Sequence, residues 1–237
     1  MRICIITAED ESIFLKRGLL FLNQNIKNLD FVSVPGFFKL KKIIYYIILL
    51  KPIELFYLVK LKIKNVFIKN NIKKIKFSNI NSKEFFYFLK RKKYDLLVSY
   101  SCPQIFKKKL LFELKRMKTG IVNFHPALLP KYKGLFGCYY SLKNKEKYVG
   151  ITFHNINEEI DGGRIISKLR IKINKKDTVF NLLRKIFLNN ESLNFVVKCI
   201  LKYKKITYKK KLLHSRYAYN SIPKFIDLIK FKFKLSK

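Results

Sequence analysis

The sequence predicts an α/β protein: a doubly wound, mostly parallel sheet with helices on both faces and a short C-terminal appendage. Two observations carry that expectation. Short apolar runs bounded by Gly, Pro, Asn or Asp recur between residues 2 and 173, and segments with helical spacing separate them. Strands that alternate with helices in this way pair in parallel through crossover connections. A third observation makes a core possible, since 49% of the 237 residues are hydrophobic and global disorder needs far less apolar content.

The elements follow in order. RICIIT (2–7) reads as a first buried strand, followed by AEDES and then a helical pattern through FLKRGLLFL. LDFVSVPG (29–36) is a second strand closed by a Pro-Gly turn. Residues 37–69 are apolar and basic with helical spacing broken at Pro52, which predicts helices covering the sheet. In INSKEFFYFLKRKK (80–93), Ser82 precedes an apolar-periodic run and is expected to cap it. YDLLVSY (94–100) reads as a buried parallel strand, CPQIFKKKLLFELKRMK as loop and helix, and TGIVNF as the next strand. After a proline-punctuated loop come a helical GLFGCYYSLKN and two strands, VGITFHNI (149–156) and RIISKLRIKI (164–173), around the turn NEEIDGG. DTVFNLLRKIF (177–187) is expected to start on Asp177 as its N-cap and to continue towards Ile200. From about residue 204 the chain turns basic, aromatic and irregular. This divides it into a main domain, 1–203, and an appendage, 204–237, too small to fold alone.

The formal net charge is +37, from 52 Lys and Arg against 15 Asp and Glu. Such a surface attracts phosphate-bearing ligands. Only eight of the 52 cations are arginine, however, and arginine is the residue suited to bidentate phosphate and base contacts. The surplus of Lys, Ile, Asn, Phe and Tyr matches what an A/T-rich genome imposes through its codons, so specific nucleic-acid binding is disfavoured. The four cysteines (Cys4, Cys102, Cys138, Cys199) are scattered without metal-ligand spacing. Free thiols in a reducing cytoplasm are expected, with no metal site. The longest apolar run, IIYYIILL (43–50), is far too short to span a bilayer, and no secretory signal opens the chain. Neither a GxGxxG nor a P-loop follows the first strand.

The chemistry concentrates in IVNFHPALLPKYKG (121–134), which holds one of only three histidines. Its first residues favour a strand, and Pro126 and Pro130 then stop any ladder or helix. Asn123 and His125 therefore sit at a strand's carboxyl end, where open α/β sheets bind ligands, and share one face. NFHPALLPKYKG (123–134), GITFHNINEEIDGGRII (150–166) and the 36 residues between His125 and Asp161 together resemble the formyltransferase family. Its members use 10-formyltetrahydrofolate, without a metal, on a Rossmann-like fold. The likeness extends more weakly over about 77–200, including DLLVSYSCPQIF and KKDTVFNLLRKI. Ala127 departs from the family's usual Ser.

The resemblance implies that Asn123, His125 and Asp161 are the catalytic trio. A neutral amine would attack the donor's formyl carbon. An Asn amide and a protonated imidazole suit the oxyanion that develops, and a carboxylate beside His125 would favour the imidazolium. Thr152 corresponds to a hydroxyl that helps hold a proton-shuttling water, and His154 matches a supporting position. Pro103, Gln104 and Ile105 align with a loop whose backbone embraces the pterin. Three amines could accept the formyl group. Glycinamide ribonucleotide is disfavoured, because the acidic TAEDES stands where a phosphate loop would be. Methionyl-tRNA is disfavoured because its enzymes add a C-terminal domain of roughly a hundred residues, against the 34 present here. An amino sugar carried on a nucleotide is the leading expectation, in a cytoplasmic enzyme of unassigned oligomeric state. A non-catalytic RNA- or membrane-surface protein on the same fold is the alternative of another class.

Overall fold

The computed structural model describes residues 1–9, 14–36, 44–45, 47–67, 72–203 and 219–235. The expectations placed on most of AEDES, on part of 37–69 and on much of the stretch after 204 lie outside those residues. The strands are β1 (Ile3–Ala8), β2 (Leu29–Val34), β3 (Lys74–Lys76), β4 (Leu96–Ser99), β5 (Gly120–His125), β6 (Tyr148–Asn155) and β7 (Ile165–Lys172). The helices are α1 (Leu15–Asn25), α2 (Pro52–Phe67), α3 (Lys83–Lys92), α4 (Lys108–Arg116), α5 (Gly137–Lys143), α6 (Val179–Phe187), α7 (Asn190–Leu201) and α8 (Phe225–Leu235).

The strands form one sheet in the order β3-β2-β1-β4-β5-β6-β7. The first five are parallel, and β6 and β7 extend the sheet antiparallel. Alternate residues of β1 point to opposite layers, as a doubly covered sheet requires. Ile3 and Ile5 join a core with Leu19 of α1, Tyr139 of α5, Leu182 of α6, Ile200 of α7 and Leu228 of α8. Cys4 and Ile6 join a second core with Phe85 and Phe88 of α3 and Leu110 and Leu114 of α4. Both faces are covered, as expected. The order reverses between β1 and β4, and the carboxyl ends of β4 and β5 lie side by side with Ser99 paired to Asn123.

Ser82 does cap α3, its hydroxyl accepting from the Phe85 N–H at 3.1 Å. Asp177 does not cap α6. The cap is Thr178, which accepts from the Asn181 N–H, while Asp177 accepts from the Asn174 N–H at 2.7 Å and pairs with Lys185 at 2.5 Å. The helix expected to run on to Ile200 breaks at Leu188, and Asn189 caps the separate α7. Within the stretch expected to be irregular, α8 buries Leu228 and Phe231, with Phe231 edge-on to Tyr139 at 4.9 Å between ring centroids.

Candidate functional site

The site grows from one register. β5 and β6 run antiparallel with Asn123 opposite His154 and His125 opposite Thr152. Directly opposed residues share a face, and alternate residues along a strand return to it. All four polar side chains therefore stand on one face. On the other, Phe124 stacks on Phe153 at 4.6 Å and seals the core. The sequence NFH on β5 and TFH on β6 is the same polar–apolar–polar alternation written twice.

The turn from β6 to β7 brings the fifth group. Asp161 adopts φ +50°, a left-handed conformation that Asp tolerates better than most residues. A Cβ on Gly163 would lie 1.8 Å from the Asn155 carbonyl oxygen, so only glycine lets the turn fold back this closely. The result points the Asp161 carboxylate into the site. Oδ2 stands 3.4 Å from His125 Nδ1, and Oδ1 stands 3.4 Å from Asn123 Nδ2 and 3.6 Å from His154 Nε2. Asn123, His125 and Asp161 are thus brought together, with His154 beside them.

The loop after β5 closes over this cluster. The Tyr132 carbonyl lies 2.6 Å from His125 Nε2, so Nε2 carries a proton. The Gly134 N–H donates to Asp161 Oδ2 at 2.8 Å. The Lys133 side chain is buried and pairs with Glu159. Thr152 stands behind the proline turn. Its hydroxyl donates to the Ala127 carbonyl at 2.6 Å and accepts from the Leu129 N–H at 3.0 Å, so it pins the proline turn and has no donor left over for a water. His154 Nδ1 donates to the Asn155 carbonyl at 2.7 Å, which leaves Nε2 to accept from Asn123 Nδ2 at 3.1 Å.

The surroundings of His125 pull its titration both ways. Burial pushes its pKa below the ordinary 6.5, against the pull of the Asp161 carboxylate and the Tyr132 carbonyl. Burial also pushes the Asp161 carboxyl up, but His154, His125 and the Gly134 N–H outweigh it and hold the group below the usual carboxylate range. The pair is a buried anion facing the open lone pair of Nδ1. A proton reaching Nδ1 lands between ring and carboxylate, with a hydrogen-bond acceptor on each ring nitrogen.

Pro103, Gln104 and Ile105 lie in the loop after β4, next to the end of β5. The Gln104 side chain is spent on the fold: Oε1 accepts from the Ile80 N–H at 2.9 Å and Nε2 donates to the Ser78 carbonyl at 2.8 Å. Among the described residues, the backbone N–H groups of Gln104 and Ile105 have no acceptor within the chain, and the Ile105 side chain is exposed. Free backbone donors beside an apolar side chain suit the polar edge and flat face of a pterin.

A family model described as formyl transferase matches residues 61–197, more than half of the chain and all of this constellation. The chain belongs to the formyl transferase family. Among its relatives, the bifunctional polymyxin resistance protein ArnA of Wigglesworthia glossinidia brevipalpis is 34% identical over 125 residues, 51% of this chain and 19% of that protein. GDP-perosamine N-formyltransferase of Brucella melitensis is 33% identical over 102 residues, 43% of this chain and 38% of that protein. The chain thus spans well under half the length of either relative. A crystal structure of an N-formyltransferase from Helicobacter canadensis, in complex with folinic acid and dTDP-3-aminofucose, shares the fold. It has a TM-score of 0.58 and 22% identity, over 93% of this chain and 70% of that one. No helix among the described residues is long and apolar enough to cross a membrane.

Sequence reasoning missed the backbone groups of Tyr132 and Gly134, and the buried Lys133 with its partner Glu159. Peptide groups leave no residue-type signature. A lysine in a mainly lysine-charged chain does not stand out either.

Proposed function

We propose that this protein transfers a formyl group from 10-formyltetrahydrofolate to the primary amine of a nucleotide-linked amino sugar. The observation that carries the reading is the convergence of Asn123, His125 and Asp161 at the carboxyl end of β5, beside the free backbone donors of Gln104 and Ile105. The donor, when bound, supplies an electrophilic formyl carbon. Gln104 and Ile105 hold the pterin edge through their backbone N–H groups. The Asn123 amide keeps its bond to His154, gives up its long 3.4 Å contact with Asp161 and turns that N–H to the formyl oxygen as negative charge develops there. His125 accepts the proton that the attacking amine loses, the Asp161 carboxylate stabilises the imidazolium so formed, and the proton passes on to the donor nitrogen as its bond to the formyl carbon breaks and tetrahydrofolate leaves. Thr152 fixes the proline turn behind His125, and His154 orients Asn123.

The acceptor rests on the named substrates of the Brucella and Helicobacter proteins and on the family membership they share with this chain. The test offers 10-formyltetrahydrofolate with nucleotide-linked 3-amino and 4-amino sugars, glycinamide ribonucleotide and methionyl-tRNA in parallel. An amino sugar is expected to be formylated, and His125→Ala to lower kcat by about a hundredfold or more, the size of losing a central electrostatic group. Formylation of methionyl-tRNA alone overturns the acceptor. Absence of any transfer and of any folate binding overturns the activity and leaves the RNA- or membrane-surface alternative standing.

A further inference from the structure

The segment from Tyr132 to Leu135 leaves a turn, carries an isolated bridge at Gly134 and presents its peptide groups to two sets of partners. On one edge the Tyr132 carbonyl meets His125 and the Gly134 N–H meets Asp161. On the other the Lys133 carbonyl and the Leu135 N–H meet a single residue far along the chain. Asn220 donates its backbone N–H to the Lys133 carbonyl at 2.9 Å and its side-chain Nδ2 to the same oxygen at 3.2 Å. The Asn220 carbonyl accepts from the Leu135 N–H at 2.9 Å. Gly134 and Asn220 form an isolated parallel bridge.

The contact is tight and well anchored. Gly134 sits at φ +92°, and a Cβ there would lie 2.4 Å from the Asn220 carbonyl oxygen and 2.5 Å from the Tyr219 ring. Immediately after Asn220, the Ser221 carbonyl accepts from the Tyr140 hydroxyl and the Pro223 carbonyl from the Tyr45 hydroxyl, each at 3.0 Å. Then α8 drives Leu228 and Phe231 into the core. A segment nailed down on this scale does not follow the loop; the loop follows it.

We propose that Asn220 is a positioning residue of the active site, holding one edge of residues 132–135 so that the opposite edge stays on His125 and Asp161. It touches neither group itself. The role rests on the functional reading above, but its first readout does not. Titratable groups around His125 are Asp161, His154, the Lys133–Glu159 pair and, in the latch, Tyr219. Loosening the loop admits water to a ring whose burial is the largest influence on its titration, so the His125 pKa should rise.

The experiment compares Asn220→Ala, which removes only the Nδ2 bond, with Asn220→Pro, which also removes the backbone donor. His125 is titrated by NMR, and kcat and KM are measured with thermal melting alongside. We expect the His125 pKa to rise by about half a unit or more in Asn220→Pro and by less in Asn220→Ala. We also expect kcat to fall roughly tenfold to a hundredfold in the first and a few-fold in the second, since small misplacements are costly at a reacting centre. A lowered melting temperature with unchanged His125 titration and unchanged kcat assigns Asn220 to stability alone and overturns the proposal. If Asn220→Pro does not fold, an Asn220→Ala protein identical to wild type in both readouts overturns it equally. Wild-type protein without formyl transfer but with a latch-dependent His125 titration would instead overturn the functional reading and keep the latch.

Discussion

Two places in the sheet bury polar side chains side by side, and they are built in opposite ways. At the carboxyl ends of β1 and β2, Thr7 and Ser33 are paired in register and fully buried, yet neither hydroxyl has a hydrogen-bond partner among the described residues. At the end of β5 and in β6, Asn123, His125, Thr152 and His154 are also paired in register, and each has at least one partner within 3.1 Å. Burial is common to both places, so burial does not distinguish a site from a flaw. Satisfaction does. An orphaned hydroxyl costs stability, whereas a saturated cluster holds its geometry before any ligand arrives.

The comparison breaks most sharply at Asp161. Asp161→Asn keeps the size and the left-handed backbone but removes the charge on which the cluster centres. We expect kcat to fall about a hundredfold or more, and the His125 pKa to move further down, because the carboxylate is what raises it. Unchanged turnover and an unchanged NMR titration would make Asp161 a turn former only. The same two groups set the response of the wild type to acid. Both have folded-state pKa values below their ordinary ones of 6.5 for His125 and 3.8 for Asp161. The unfolded chain therefore binds the proton first in each case, and stability rises with pH through both windows. The urea midpoint should fall on acidification below pH 6.5 and again below 3.8, and Asp161→Asn should lessen the second fall, to which Glu146, also held below its ordinary pKa by Lys131, contributes as well.

Thr152→Val tests the saturated side at a residue that touches no reacting atom. It strands the Leu129 N–H and the Ala127 carbonyl in a buried turn and should cost about 2–3 kcal/mol in denaturant unfolding. A loss below about 0.5 kcal/mol would show that the turn finds other partners. Thr7→Val makes the same change on the unsatisfied side and should be neutral or stabilising by up to about 1 kcal/mol. A clear loss of stability there would reveal a partner for the Thr7 hydroxyl and dissolve the contrast.

Sequence legibility followed the same line. The strands that flank the site could be read because their apolar runs are continuous, and the trio because its spacing is fixed by two motifs. β3 could not, since Lys-Ile-Lys offers one apolar residue and no period. α8 was hidden because KFKFK alternates at period two, a strand pattern, while the helix is anchored by Leu228 and Phe231 three residues apart. Asp177 and Thr178 are adjacent residues of capping type, and sequence alone could not rank them. The balance of influences on His125 was only half legible, for a different reason. A charge partner is visible as a letter, but the depth of burial that opposes it exists only after folding.

The span of the Asn220 contact has a consequence for how the protein is made. The side-chain contacts of the trio join residues at most 38 apart, whereas the latch joins residues 87 apart. A ribosome releases the chain from its N-terminal end at about 5–20 residues per second, so the 59 residues from Asp161 to Asn220 take roughly 3–12 s to follow. For that interval every residue of the trio has been synthesised, and the strap that holds the loop has not. The nascent chain thus passes through a stage in which the reacting groups exist and their clamp does not.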